Sequence, residues 1–121
     1  MPVACLEGNV ARALAEAPGE VRLEGTRLSD CFNRAANPAE IQQVGNVFIG
    51  AAEQLAVRAR ARPHSPEALR LGYLIGAMRR GTSHTQGIHY ETRRRIEQEL
   101  SGVNTRAAEF VTGERAGERS G

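Results

Sequence analysis

Arginine supplies every strongly basic side chain of this sequence, 16 in all. Guanidinium groups bind carboxylates and phosphates through paired hydrogen bonds. Residues 1–55 contain four arginines and seven acidic residues, residues 56–95 contain nine arginines and two glutamates, and residues 96–121 contain three arginines and five glutamates. A net charge of +2 therefore conceals a basic middle segment. This asymmetry predicts either an anionic partner or pairing of the middle segment with the acidic ends of the chain.

The helix dipole accounts for some of these arginines. The arginines within residues 58–62, together with Arg79 and Arg80, fall in the last turns of two predicted helices. Cations are favoured there because they complement the dipole and bond the free carbonyl groups. The arginines at 93–95 lie in the middle of a predicted helix, so the dipole does not explain them. They are our first candidates for contact with an anionic partner.

The segment 77–88 resembles a helix-turn-helix, with Gly81 and Ser83 at matching positions. It departs from the motif because Arg80 precedes the turn glycine and Gly87 stands where an apolar residue is expected. The following helix would present polar and basic groups to phosphates and base edges. The candidate residues for binding a partner or nucleic acid are Arg79, Arg80, His89, Tyr90, Arg93, Arg94 and Arg95.

Gly72 and Gly76 lie four residues apart inside a predicted helix. Each glycine there costs about 1 kcal/mol relative to alanine, so a close helix contact is expected to offset the loss. One interpretation is packing within the subunit against the preceding helix, which carries small residues at Gly45, Ala52 and Ala56. The other interpretation is self-association through the glycine face.

The remaining reactive residues do not form a recognisable active site. Cys5 and Cys31 belong to no CxxC pair, so we expect two buried thiols. The three histidines, His64, His84 and His89, lack the spacing of a zinc site. No phosphate-binding loop follows a strand. We therefore expect no enzyme, no metal, no cofactor and no small-molecule substrate.

Apolar spacings of three and four residues predict helices in most of the chain. The clearest starts combine a capping Asn37 or Ser65 with proline at the next position. A first helix is predicted over 2–17, with Asn9 as an alternative start, and Thr26 is predicted to cap a second one. Residues 20–24 are predicted to be an extended connector, with pairing to a second copy as an alternative.

Ser83 and Gln86 predict a capping box for the last helix, which ends at Gly102. The polar composition of residues 103–121 predicts a flexible, disordered tail. The expected fold is thus all-α, a compact bundle of four or five helices in one domain over 1–102, followed by this tail.

The function expected from these features is that of a small non-enzymatic interaction or adaptor protein. It would self-associate into a homo-oligomer and present an arginine-rich surface to an acidic protein partner. The alternative is a nucleic-acid-binding transcriptional regulator that uses the segment 66–100. No apolar run is long enough to span a membrane and no signal peptide is visible, so we expect a cytoplasmic protein.

Overall fold

Seven α-helices and one short 3-10 turn, Leu14–Glu16, make up the computed structural model, which describes all 121 residues. The predicted all-α class is confirmed, although the helices outnumber the four or five expected. None of the helices is long and apolar enough to cross a membrane. The helices are α1 (Val3–Glu7), α2 (Val10–Ala13), α3 (Leu28–Arg34), α4 (Pro38–Ala61), α5 (Pro66–Thr82), α6 (Tyr90–Gln98) and α7 (Ala108–Ser120).

The two strongest predicted helix starts are confirmed. Asn37 Oδ1 accepts a hydrogen bond from the Glu40 backbone N–H at 2.9 Å. Ser65 Oγ accepts one from the Ala68 backbone N–H at 3.2 Å. Both caps satisfy amide groups that a helix start leaves without partners. They fix the first turns of the two longest helices, α4 and α5.

The N-terminal segment is more broken than the single helix predicted over 2–17. Gly8 is extended, with φ −74° and ψ 162°, and it ends α1. Asn9 then caps α2, because its Oδ1 accepts from the Arg12 backbone N–H at 3.0 Å. This is the alternative start that the sequence offered. Thr26 does not cap the next helix, since α3 begins at Leu28 without a side-chain cap.

Residues 20–27 form an extended connector that closes on itself in a turn. The backbone N–H groups of Leu23 and Thr26 each donate a hydrogen bond to the carbonyl oxygen of the other residue, so the connector pairs within its own turn. Val21 and Leu23 are buried. The Val21 N–H donates to the Tyr73 hydroxyl at 3.2 Å, which attaches the connector to α5.

Helix α5 occupies the centre of the fold, and α3, α4 and α7 all pack against it. Every residue from 71 to 78 is buried. Tyr73 is fully buried. Phe32 of α3 and Phe48 of α4 form the aromatic contact of the core, with ring centroids 4.6 Å apart. A central helix that is buried on most sides carries apolar residues on more than one face, as the run 71–78 does.

The prediction of a disordered tail is wrong, because α7 packs along α5. Gly72 and Gly76 of α5 face the α7 backbone, and Gly113 and Gly117 of α7 face the α5 backbone. A Cβ added at any of these four glycines would overlap main-chain atoms of the other helix. The order of contacts, Leu69 with Gly113 and Tyr73 with Gly117, makes the helices parallel. Such close approach lets a polar helix bury its backbone with few large apolar side chains.

The prediction of two separate thiols is also wrong. Cys5 of α1 and Cys31 of α3 form a disulfide whose Cα atoms lie 5.4 Å apart. Both residues are fully buried. The bond joins the short helices α1 and α3 across the irregular connector. A sequence with two distant cysteines gives no indication of their separation in the fold, so the pairing could not be predicted.

Candidate functional site

Arg79 and Arg80, predicted to meet a partner, instead hold α7 in place. Arg79 forms an ion pair with Glu114 and a looser one with Glu118 at 4.0 Å. Arg80 Nη1 donates to the backbone carbonyl groups of Glu118, at 3.2 Å, and Arg119. Here the basic middle of the chain is paired with its acidic end, which was one of the two interpretations of the charge asymmetry.

Two of the three arginines at 93–95 pair within α6. Arg93 Nε donates to Glu97 Oε1 at 2.8 Å, and Arg94 Nη2 donates to Glu91 Oε1 at 2.7 Å. The hydrogen bonds from Arg94 hold the pKa of Glu91 below its ordinary value. Arg95 is exposed and forms no ion pair. Tyr90 is 68% exposed at the start of the helix. The strongest candidate cluster from the sequence therefore has one free guanidinium.

The segment 77–98 does not adopt the helix-turn-helix arrangement. Helix α5 ends at Thr82 and α6 begins at Tyr90, so seven residues separate them. A helix-turn-helix joins its helices by a turn of about three or four residues. The predicted capping box is absent, because Ser83 Oγ donates to the Arg80 carbonyl group. Helix α6 packs mainly on α4, and Gly45 of α4 faces Thr92.

His89 is buried rather than presented to a partner, with 2% of its surface exposed. Its ring meets the edge of the Phe32 ring at a centroid distance of 5.8 Å. Burial lowers the pKa of His89, because the charged imidazole would lose its hydration, and the Phe32 backbone partly offsets this effect. Neither ring nitrogen reaches a well-aligned hydrogen-bond partner.

The other two histidines lie apart from any reactive cluster. His64 Nδ1 lies 2.7 Å from Glu109 Oε1, and this hydrogen bond lowers the pKa of Glu109. His84 is exposed in the segment that joins α5 to α6. No group of three or more histidine, cysteine or acidic side chains is arranged to hold a metal ion.

Gly72 and Gly76 pack within the subunit, but not against the helix that the sequence suggested. The predicted partner was α4, whereas the observed partner is α7. Their face is filled by the Phe110 and Glu114 backbones. It is therefore not open to a second copy of the folded chain.

A groove between α2, α4 and α5 contains three arginines that sequence reasoning did not bring together. Arg12 comes from α2, Arg58 from α4 and Arg70 from α5. The groove has a volume of about 690 Å³, and its lining residues are Asn9, Ala11, Arg12, Ala15, Gln54, Leu55, Val57, Arg58, Glu67 and Arg70. We call it the arginine groove. With one glutamate against three arginines, its lining carries an excess positive charge.

The caps described above set the geometry of the arginine groove. Asn9 starts α2 and directs Arg12 toward the groove, while Ser65 starts α5 just before Glu67 and Arg70. Gln54 and Arg58 stand one turn apart on the same face of α4. All three arginines therefore project from capped or long helices rather than from a loop.

None of the three guanidinium groups in the arginine groove donates a hydrogen bond to a protein acceptor. Arg58 Nε lies 3.7 Å from Glu67 Oε1, and Arg70 Nη1 lies 4.0 Å from Glu67 Oε2. Both separations exceed the 2.7–3.2 Å typical of an N–H···O hydrogen bond, by roughly 0.5 Å or more. Arg12 has no acidic partner at all. Arg79, Arg93 and Arg94, by contrast, each donate to a carboxylate.

Sequence reasoning missed the groove for a physical reason. Arg12 lies in the acidic first segment, and Arg58 was assigned to the dipole at the end of its helix. Only the packing of three helices brings these side chains together. The one available signal was that the middle segment has more arginines than local glutamates can pair.

Comparison of the chain with protein-family models, with curated proteins and with solved structures finds no match.

Proposed function

We propose that the chain is a non-enzymatic interaction module that binds a carboxylate-rich segment of an acidic protein partner in the arginine groove. The observation that carries this proposal is the sharing of one groove by Arg12, Arg58 and Arg70, whose guanidinium groups hydrogen-bond to no protein acceptor. Guanidinium groups bind carboxylates through two parallel hydrogen bonds, and these are stronger than neutral ones. A bound acidic segment would supply the missing acceptors.

The apolar part of the groove favours a protein partner. Val57 is 66% exposed, and Leu55 and two alanines line the same surface. Protein interfaces combine an apolar centre with a polar rim, and arginine is enriched in them. An acidic segment with one or two apolar side chains could bury Val57 while its carboxylates meet the arginines.

The alternative function, a nucleic-acid-binding regulator, receives less support from the arrangement of α6. Arg93 and Arg94 are neutralised by glutamates of the same helix. Phosphate binding by these residues would require those ion pairs to break. Duplex DNA therefore serves as the competing probe in the test.

The test is a titration of the whole chain with a fluorescent oligoglutamate peptide at low ionic strength. We expect saturable binding that weakens with salt, since exposed charges are screened. Arg58→Gln combined with Arg70→Gln should lower the affinity about tenfold or more, which corresponds to about 1.4 kcal/mol. The matched control is Arg115→Gln combined with Arg119→Gln, because both arginines are exposed on α7, outside the groove, and each double variant removes two positive charges.

Two outcomes would overturn the proposal. One is the absence of peptide binding at low salt, where electrostatic affinity is greatest. The other is an equal loss of affinity in the groove variant and in the control that carries Arg115→Gln and Arg119→Gln. Tight, salt-dependent binding of duplex DNA without peptide binding would favour the regulator instead.

The compartment and the oligomeric state belong to the same proposal. Disulfides persist chiefly in oxidising compartments. The Cys5–Cys31 bond thus favours such a compartment over the cytoplasm. The expected homo-oligomer stays a prediction, and its contact would lie outside the Gly72 and Gly76 face that α7 covers.

A further inference from the structure

Glu67 places its carboxylate between two arginines of the groove. Its Oε1 is directed toward Arg58 and its Oε2 toward Arg70, at 3.7 Å and 4.0 Å. The two oxygens thus divide between two guanidinium groups, as those of an incoming carboxylate would. The Glu67 side chain is 26% exposed, against 56% for Arg58, so the glutamate lies deeper in the surface.

The contacts of Glu67 are loose enough to be replaced. Ion pairs near the surface contribute little to stability, and those at Glu67 lack hydrogen bonds. A carboxylate that approaches to about 2.7–2.9 Å makes the stronger, charge-assisted contact. Glu67 also stands in the first turn of α5, after Ser65 and Pro66, where the helix dipole favours a negative charge. It can therefore release the arginines and still be stabilised by its position.

We infer that Glu67 is an internal competitor for the arginine groove, occupying Arg58 and Arg70 in the free protein and thereby limiting the affinity for a carboxylate-bearing partner. This inference rests on the proposed function, since it concerns the same groove. An acidic partner must displace Glu67 from both arginines, and it also meets the repulsion of the Glu67 charge.

The experiment replaces Glu67 with glutamine and repeats the oligoglutamate titration. Glu67→Gln keeps the size of the side chain and removes the competing charge. We expect the peptide to bind about three- to tenfold more tightly than to the unmodified chain.

Glu40→Gln is the matched control. Glu40 lies in the first turn of α4, as Glu67 lies in the first turn of α5, and it is outside the groove. Both substitutions raise the net charge by one and remove a negative charge from a helix start. The control should change the peptide affinity far less than Glu67→Gln does, because Glu40 does not line the groove and contacts none of its arginines.

A second variant, Glu67→Asp, controls for effects of the substitution on folding. Aspartate keeps the negative charge at the helix start but is one methylene shorter, so it reaches the two arginines less well. We expect an affinity between those of the unmodified chain and Glu67→Gln. Thermal unfolding by circular dichroism shows whether each variant is folded at the titration temperature.

The outcomes distinguish a failure of this inference from a failure of the proposed function. If the peptide binds and the groove arginines are required, but Glu67→Gln leaves the affinity unchanged or lowers it, the competitor role is overturned and the function stands. If Glu67→Gln and Glu40→Gln tighten binding equally, the effect is one of overall charge and the competitor role is likewise overturned. If neither the unmodified chain nor Glu67→Gln binds the peptide, the proposed function itself fails.

Discussion

Gly76 in α5 lies directly against the backbone of Glu114 in α7, so that a Cβ at position 76 would overlap the Glu114 carbonyl oxygen. One turn further along α5, Arg79 forms an ion pair with the side chain of the same glutamate. The backbone contact and the ion pair together align the two helices. Helix α5 also carries Glu67 and Arg70 into the groove, so this packing supports the helix that positions them.

Substitution of Gly76 by alanine should destabilise the chain. The added Cβ has no space between the helices, and overpacking costs about 1–3 kcal/mol. Gly50→Ala is the matched control, since Gly50 lies within α4 with no neighbour inside 4 Å of an added Cβ. That control should stabilise by about 0.5–1 kcal/mol through helix propensity. Chemical denaturation measures both, and an unchanged midpoint for Gly76→Ala would contradict the packing.

Helix α7 should resist proteolysis and hydrogen exchange. Phe110 is 1% exposed and belongs to the core cluster. Its replacement by alanine should destabilise the chain by about 3–5 kcal/mol, as for other buried phenylalanines. Exchange measured by mass spectrometry should show amides of 111–120 protected in the unmodified chain. Rapid exchange of this segment under native conditions would show instead that α7 does not dock.

Loss of the disulfide should weaken the N-terminal half. Cys5 and Cys31 are separated by 26 residues, and a cross-link over a loop of this size contributes about 3 kcal/mol. Denaturation of the oxidised chain with and without a reductant measures the difference. Cys5→Ser is expected to match the reduced chain and to show no further response to reductant. If the reductant leaves the stability of the unmodified chain unchanged, the disulfide makes no contribution to the free energy of unfolding.

Stability should fall in weak acid because of His89. Burial lowers the pKa of His89 in the folded chain below its ordinary value of 6.5, so the unfolded chain binds the proton more readily. The stability that the neutral, buried His89 contributes is complete above the pKa of the unfolded chain and is lost as pH falls through the pKa of the folded chain. The free energy of unfolding changes over this range by at most about 1.4 kcal/mol per pH unit. His89→Leu should flatten the stability curve near pH 6. An unchanged slope there would assign it to another group.

Local physical chemistry made several elements predictable. The caps at Asn37 and Ser65 each depend on residues within three positions, so they could be recognised from the sequence. The energetic cost of Gly72 and Gly76 likewise indicated a close helix contact. The composition of residues 103–121 did not predict α7, because this helix packs through close backbone contacts. Composition shows how many side chains are apolar and gives no information about such contacts.

The candidate site was the least predictable part. The charge balance of residues 56–95 indicated unpaired arginines, but not which of them remain free. Arg93 and Arg94 were leading candidates for contact with a partner, but ion pairs at i, i+4 and i, i+3 within α6 occupy their guanidinium groups. Arg12, Arg58 and Arg70 meet only through tertiary packing, which no local spacing encodes.

The most direct test of the central claim is a nuclear magnetic resonance titration that follows the guanidinium Nε–H signals during addition of an oligoglutamate peptide. Arg12, Arg58 and Arg70 hydrogen-bond to no protein acceptor in the free chain, so formation of hydrogen bonds to the peptide should shift their signals most. Arg93 and Arg94, whose Nε–H groups already donate to glutamates, should shift little. Shifts concentrated at the arginines of α6, or spread evenly over all the arginines, would contradict the assignment of the groove as the binding site.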